Sequence, residues 1–100
     1  MQIELPQTAI IRFCQRHQIQ KLSVFGSVLR DDFGANSDVD FLVEFDPDHI
    51  PGLIRLAGME LELSTMINRK ADLRTPKDLS KYFRNQVLES AVVQYDRTQR

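Results

Sequence analysis

Asp38 and Asp40 stand two residues apart at the head of the most hydrophobic strand-like run of the chain, "DVDFLVEF". On a β-strand, residues i and i+2 share a face and lie roughly 6.6 Å apart. Their carboxylates can therefore converge on one ion. Carrying ionised groups into a buried run is costly unless they are paired or bind a metal. Ionised side by side they also repel, and a divalent cation removes that repulsion. A donor set made only of carboxylate oxygens suits Mg²⁺, with Mn²⁺ as a substitute, far better than zinc. Mg²⁺ completes its shell with waters and substrate phosphates. The Asp-x-Asp pair thus reads as half of a metal–nucleotide site.

The other half lies just upstream. Gly26-Ser27 closes a short strand, "KLSVF", and opens a short helix, "SVLRDDF". A glycine there lets a phosphate approach the backbone closely, and a new helix aims free N–H groups and its positive end at it. The Ser27 hydroxyl adds a donor. Arg30, one turn further on, has a guanidinium suited to phosphate. A third carboxylate, Asp72, sits in "RKADLRT". If that segment pairs beside "DVDFL", Asp72 faces the same side as Asp38 and Asp40. Three carboxylates can hold two metals about 3.5–4 Å apart, and Asp72 can help deprotonate an acceptor.

The elements that must position these groups follow from periodicity. "PQTAIIRFCQRHQ" predicts a helix with Ile10, Phe13, Cys14 and His17 on one face and Pro6 at its first turn. "KLSVF" predicts a strand with Leu22 and Val24 opposite Ser23 and Phe25. "GANS" is turn chemistry. In "DVDFLVEF", Val39, Phe41, Val43 and Phe45 share one face, and Asp38, Asp40, Leu42 and Glu44 the other. A helix is predicted from Leu53 to Ile67, and its apolar residues occupy more than one face, Ile54 and Leu61 among them. That excess is expected to serve a partner. "RKADLRT" predicts a third strand and Pro76 a further turn. Leu79, Phe83, Val87 and Ala91 predict a last helix, and the tail "QYDRTQR" is expected to fray. The order is helix, strand, short helix, strand, helix, strand, helix. It predicts an α/β (α+β) fold with a small mixed sheet flanked by helices.

Bulk properties narrow the class. One hundred residues predict a single domain spanning 1–100. A 42% hydrophobic share supports a modest core, and a net charge of -1 excludes a general nucleic-acid binder. One cysteine, Cys14, leaves no internal disulfide and no zinc pattern, and reads as a core residue. The N-terminal stretch lacks the pattern of a signal peptide, and no apolar run is long enough to span a bilayer. A cytoplasmic protein without a membrane anchor is expected. His17 reads as a helix-flank residue, His49 as a loop residue, and Tyr82 and Tyr95 as packing or surface residues. Leu42 and Val43 exclude a calcium loop, which needs polar residues at alternate positions beyond Asp40. The chain is too short for the two-part fold of sugar-nucleotide transferases that also use Asp-x-Asp.

The Gly-Ser, the ten intervening residues 28–37 and the Asp-x-Asp together resemble the nucleotidyltransferase signature of the DNA polymerase β superfamily. The wording "FGS…R…SDVDFLV" with the later "ADLRTP" is similar to the minimal nucleotidyltransferases, the MNT proteins, over about Ile19 to Ala91. The resemblance implies a palm-like nucleotidyltransferase fold. It implies that Gly26 and Ser27 hold phosphate, with Arg30 as the arginine that follows them. It implies that Asp38, Asp40 and Asp72 are the catalytic, metal-binding carboxylates. Leu29 and Asp31 depart from the family pattern of a small residue before the arginine and a glycine after it. MNT proteins are typically encoded beside a small helical HEPN toxin and act as its antitoxin by moving AMP from ATP onto a toxin tyrosine. The implied cofactor is Mg²⁺ and the implied substrate ATP, and a homo- or hetero-oligomer fits such a pairing. The competing class is a binding module that neutralises its partner by contact alone; the retention of all three aspartates favours the enzyme. Small-molecule nucleotidylation is disfavoured, because no acceptor domain is present.

Overall fold

The computed structural model describes residues 3–98. Four strands form one sheet in the order β3-β2-β1-β4. Helix α1 spans Gln7–Arg16, β1 Ile19–Phe25, β2 Val39–Phe45, α2 Leu53–Ile67, β3 Ala71–Arg74, α3 Arg84–Ser90 and β4 Val92–Asp96. β1 is antiparallel to both β2 and β4, whereas β2 and β3 are parallel. A parallel pair needs a crossover, and α2 provides it. This is the mixed sheet with flanking helices that the periodicity predicts, and the bounds of α2 are those predicted. Among the described residues, no helix is long and apolar enough to cross a membrane.

Both long helices lie on one face of the sheet. Ile10, Phe13 and Cys14 of α1 and Met59 and Leu63 of α2 join Leu22, Val24, Val39, Phe41 and Val43 in a single buried cluster. Arg16 and His17, at the end of α1, both engage Glu62 of α2, with His17 Nε2 2.9 Å from Glu62 Oε1. Burial pushes the Cys14 thiol up to about 12, as its place in the core demands. On the opposite face Ser23 and Leu42 are also buried. β2 therefore hides side chains on both sides.

α2 also finishes the outer edge of β3. The Ala71 N–H donates to Ser64 Oγ at 2.8 Å, and the Leu73 N–H donates to Glu60 Oε2 at 2.7 Å. These edge donors would otherwise lack partners, and an unsatisfied buried donor is costly. Asn68 ends α2 in the left-handed region, φ 57°, a conformation that asparagine tolerates.

Four expectations need correction. The segment after Gly26 is one 3-10 turn, Gly26–Leu29, and Arg30 is already extended (φ -113°, ψ 162°) rather than part of a helix reaching Phe33. β1 begins at Ile19, two residues before the predicted start, after Gln18 turns the chain at φ 55°. The last helix covers only Arg84–Ser90, with Leu79 buried ahead of it. The tail does not fray at its start. Val92–Asp96 forms β4 along β1, because β1 would otherwise leave an unpaired edge, and Tyr95 packs against the core. The final two residues of the predicted tail, 99–100, lie outside the described residues.

Gly58 sits inside α2, and a Cβ added there would meet nothing within 4 Å. Its backbone freedom weakens the helix without a packing return. Gly58→Ala is expected to raise unfolding stability by about 0.5–1 kcal/mol, read from urea midpoints. A loss of stability would contradict the packing described for α2.

Candidate active site

Three strand ends build the site. In the antiparallel pair Phe25 lies opposite Asp40, and in the parallel pair Asp72 lies beside Asp40. The Val39 N–H donates to the Lys70 carbonyl at 2.9 Å, which extends the β2–β3 pairing to the point where Asp38 enters. Asp40 and Asp72 thus stand side by side at the strand ends, with Asp38 immediately before β2.

Gly26 turns the chain immediately beside them at φ +77°. That backbone is strained for any other residue. A Cβ there would also stand 2.5 Å from Asp40 Oδ2. Conformation and space therefore both require glycine where the turn meets the carboxylate. Ser27 Oγ donates to the Asp38 carbonyl at 3.4 Å, a long bond that ties the turn to the head of β2. Arg30 points outward and pairs with Asp32, Nε to Oδ1 3.3 Å. Its guanidinium is nevertheless near enough to act on Asp40. Asp31 and Asp32 are exposed, and so stand apart from the carboxylate group.

Electrostatics mark Asp40 as the strained member. Its carboxyl is held above the usual carboxylate range first by burial, then by the charge of Asp72, with Asp38 adding to it. Arg74 and Arg30 oppose the shift. A carboxylate whose proton affinity is raised by burial and by two neighbouring carboxylates marks a site short of positive charge. The donors fit a divalent cation by type, being all carboxylate oxygen, and by this charge deficit. Among the described residues no three Asp, Glu, His or Cys side chains already stand as a ligand cage. The site is a set of donors on adjacent strands.

Two features had little sequence signal. Lys70 places its Nζ 3.8 Å from Asp38 Oδ2 and 4.0 Å from Asp72 Oδ1. Its position two residues before Asp72 on an alternating strand was the available clue. The second is a cavity of about 460 Å³ between the Gly26 turn and α3, lined by Phe25, Gly26, Leu29, Arg30, Phe83 and Gln86. Nothing local in the sequence brings residues 83–86 to Gly26. Arg69 steadies the segment before Asp38: its guanidinium donates to the carbonyls of Gly34 (2.9 Å), Ala35 (3.4 Å) and Ser37 (3.3 Å) and lies 4.6 Å from the Phe33 ring centre.

Comparisons with known proteins agree with this fold. A family model described as "Nucleotidyltransferase domain" matches residues 8–93. Protein adenylyltransferase MntA of Thermococcus cleftensis is 31% identical over 78 residues, 78% of this chain and 77% of the relative. A solved structure described as a minimal nucleotidyltransferase superposes with TM-score 0.71 at 31% identity, covering 86% of each chain. A chain from the complex of tri-AMPylated Shewanella oneidensis HEPN toxin with MNT antitoxin superposes with TM-score 0.66 at 19% identity, over 93% of this chain and 72% of that one. At that identity it speaks for the fold alone.

The raised proton affinity of Asp40 has a signed consequence. The folded chain holds a proton at Asp40 to higher pH than the unfolded chain, whose carboxyl titrates near 3.8. Stability from this group is therefore greatest at low pH and falls as pH rises through the folded value. Asp40→Asn should remove the loss. In EDTA, its urea midpoint should exceed that of wild type near neutral pH, and the two should converge in acid. A wild type more stable than the variant at neutral pH would contradict the charge deficit.

Proposed function

Since this chain belongs to the nucleotidyltransferase domain family, we propose that it is a protein adenylyltransferase acting as the antitoxin of a HEPN-type partner. It would move AMP from ATP onto a hydroxyl of that partner, a tyrosine in the reading that the resemblance implies. The observation that carries this is the β2–β3 register, which sets Asp72 beside Asp40 next to the Gly26-Ser27 turn. The MntA relative, 31% identical, is named for adenylyl transfer, and it supports the chemistry proposed.

In this reading Asp38, Asp40 and Asp72 hold Mg²⁺, with Mn²⁺ as a substitute. Bound there, the ion supplies charge neutralisation for the triphosphate and acidifies the acceptor hydroxyl. The chain's residues do the rest. Ser27 and the backbone at Gly26 hold the β- and γ-phosphates, so binding away from the reacting centre orients the α-phosphorus. Arg30, which lines the cavity beside Gly26, adds a donor for phosphate once it leaves Asp32. Asp72 receives the proton of the acceptor hydroxyl. The acceptor oxygen bonds to the α-phosphorus in line, the bond from that phosphorus to the bridging oxygen breaks, and pyrophosphate leaves with the electron pair.

The acceptor must come from outside, and α2 offers a surface for its bearer. Ile54 and Leu61 are 91% and 72% exposed, one turn pair apart on the same outer face, with exposed Leu53 beside them. This is the excess that the sequence predicts. Covering a leucine or isoleucine is worth about 1.5–3 kcal/mol. The double change Ile54→Asp with Leu61→Asp should abolish co-elution with the HEPN partner on size exclusion while leaving circular dichroism unchanged. Undiminished co-elution would move the interface elsewhere.

Intact-mass spectrometry of the partner, after incubation with ATP and Mg²⁺, tests the chemistry. An added AMP mass is expected, and Asp72→Ala should slow its appearance about a thousandfold. The exposed apolar face of α2 also suits one second reading, a non-catalytic binding module. A partner left unmodified yet neutralised equally by wild type and by Asp40→Ala would establish that reading instead.

A further inference from the structure

We propose that Lys70 is a resident counter-ion of the carboxylate group, one that holds the place of a divalent cation and competes with it. The inference rests on the metal-binding reading of Asp38, Asp40 and Asp72 and extends it to a residue outside that set. Three observations carry it.

The first is position. The Lys70 ammonium lies between two of the three carboxylates, 3.8 Å from Asp38 Oδ2 and 4.0 Å from Asp72 Oδ1. Asp38 immediately precedes β2 and Asp72 lies in β3, so one cation bridges the two segments that form the site.

The second is that the backbone aims it there. Asn68 ends α2 with a left-handed turn, and the Lys70 carbonyl accepts the Val39 N–H at 2.9 Å. Lys70 stands immediately before β3 and two residues before Asp72, and its bond to Val39 carries the β2–β3 pairing back to it. Arg69, between Asn68 and Lys70, is committed elsewhere, to the carbonyls of residues 34, 35 and 37 and to the Phe33 ring. The lysine side chain is long, but its root is fixed against β2.

The third is weakness. The Lys70 side chain is 70% exposed and that of Asp38 43%. Both contacts are long for ion pairs, and exposed pairs contribute little. A divalent cation concentrates two charges at the carboxylates and can displace a single, hydrated ammonium. A lysine is suited to leave, because its four-carbon stem lets the charge swing into solvent or toward a phosphate without disturbing the strand. An arginine in a bidentate grip would not leave so readily.

Removing the charge should therefore strengthen cation binding. In a nucleotide-free titration with Mn²⁺ alone, read by electron paramagnetic resonance, Lys70→Met should bind roughly three- to tenfold more tightly than wild type, the scale of one exposed ammonium facing two carboxylates. Lys70→Arg should not gain. In EDTA, Lys70→Met should also melt below wild type, because the carboxylates lose their counter-ion. Unchanged or weaker Mn²⁺ affinity in a folded Lys70→Met would overturn the proposal while leaving the metal reading intact. A wild type that binds no Mn²⁺, with or without ATP, would overturn the metal reading and this proposal with it. The Asp38→Asn, Asp40→Asn double variant, expected to bind none, fixes the baseline.

Discussion

The parallel pairing of β2 with β3 is the constraint on which the rest depends. Its register sets Asp40 beside Asp72, and that adjacency creates both the site and its electrostatic problem. Burial first, then the charges of neighbouring Asp72 and Asp38, raise the proton affinity of Asp40. Arg74 and Arg30 pull the other way, and Lys70 bridges Asp38 and Asp72 from the solvent side. The cations temper the repulsion without closing on the carboxylates, and a site so arranged remains able to take a further cation.

The same pairing needs a rigid frame, and α2 provides it in two ways. Met59 and Leu63 fix the helix to the core face of the sheet. Ser64 and Glu60 then accept the outward N–H groups of Ala71 and Leu73. Strand β3 has only four residues, too few to hold register by ladder bonds alone. Helix side chains serve as its missing neighbour strand. Arg69 extends the bracing to the loop ahead of Asp38. Asp38 and Asp72 are thereby held from one short stretch, residues 60–73.

β2 divides labour between its faces. Val39, Phe41 and Val43 are fully buried in the core, while Asp40 opens onto the opposite side. A buried strand makes a stiff floor for chemistry, and the cost of bringing a carboxylate to it is limited by placing the charge at the strand's end. Gly26 completes the arrangement. Only a residue without a Cβ fits against Asp40 at φ +77°, so the Gly26 turn and the Asp40 carboxylate can touch. The two long helices α1 and α2 pack on the core face of the sheet, away from the carboxylates, which leaves the exposed apolar residues of α2 clear of the Gly26 turn.

Much of this was legible in the chain itself. Asp38-x-Asp40 at the head of an apolar strand, Gly26-Ser27 before it and Asp72 after it are local patterns, and their strand faces follow from an alternation of two. The bounds of α2 and the core role of Leu22, Val24, Phe13 and Cys14 follow from periodicity for the same reason: burial selects residue type at fixed spacing. Pairing was not legible. Gln94–Asp96, the last three strand residues, looked like the start of a frayed tail because their structure comes from the unfilled edge of β1, some seventy residues earlier. The helix expected after Gly26 stopped at one turn, and Arg30 turned out toward Asp32, since a short helix survives only on packing that the local sequence does not contain. Residue types and spacings determined which groups could do chemistry. Only the tertiary structure decided that Lys70 stands between the carboxylates and that Phe83 and Gln86 face Gly26, because those distances depend on how separate segments pack, and short-range pattern carries no record of that.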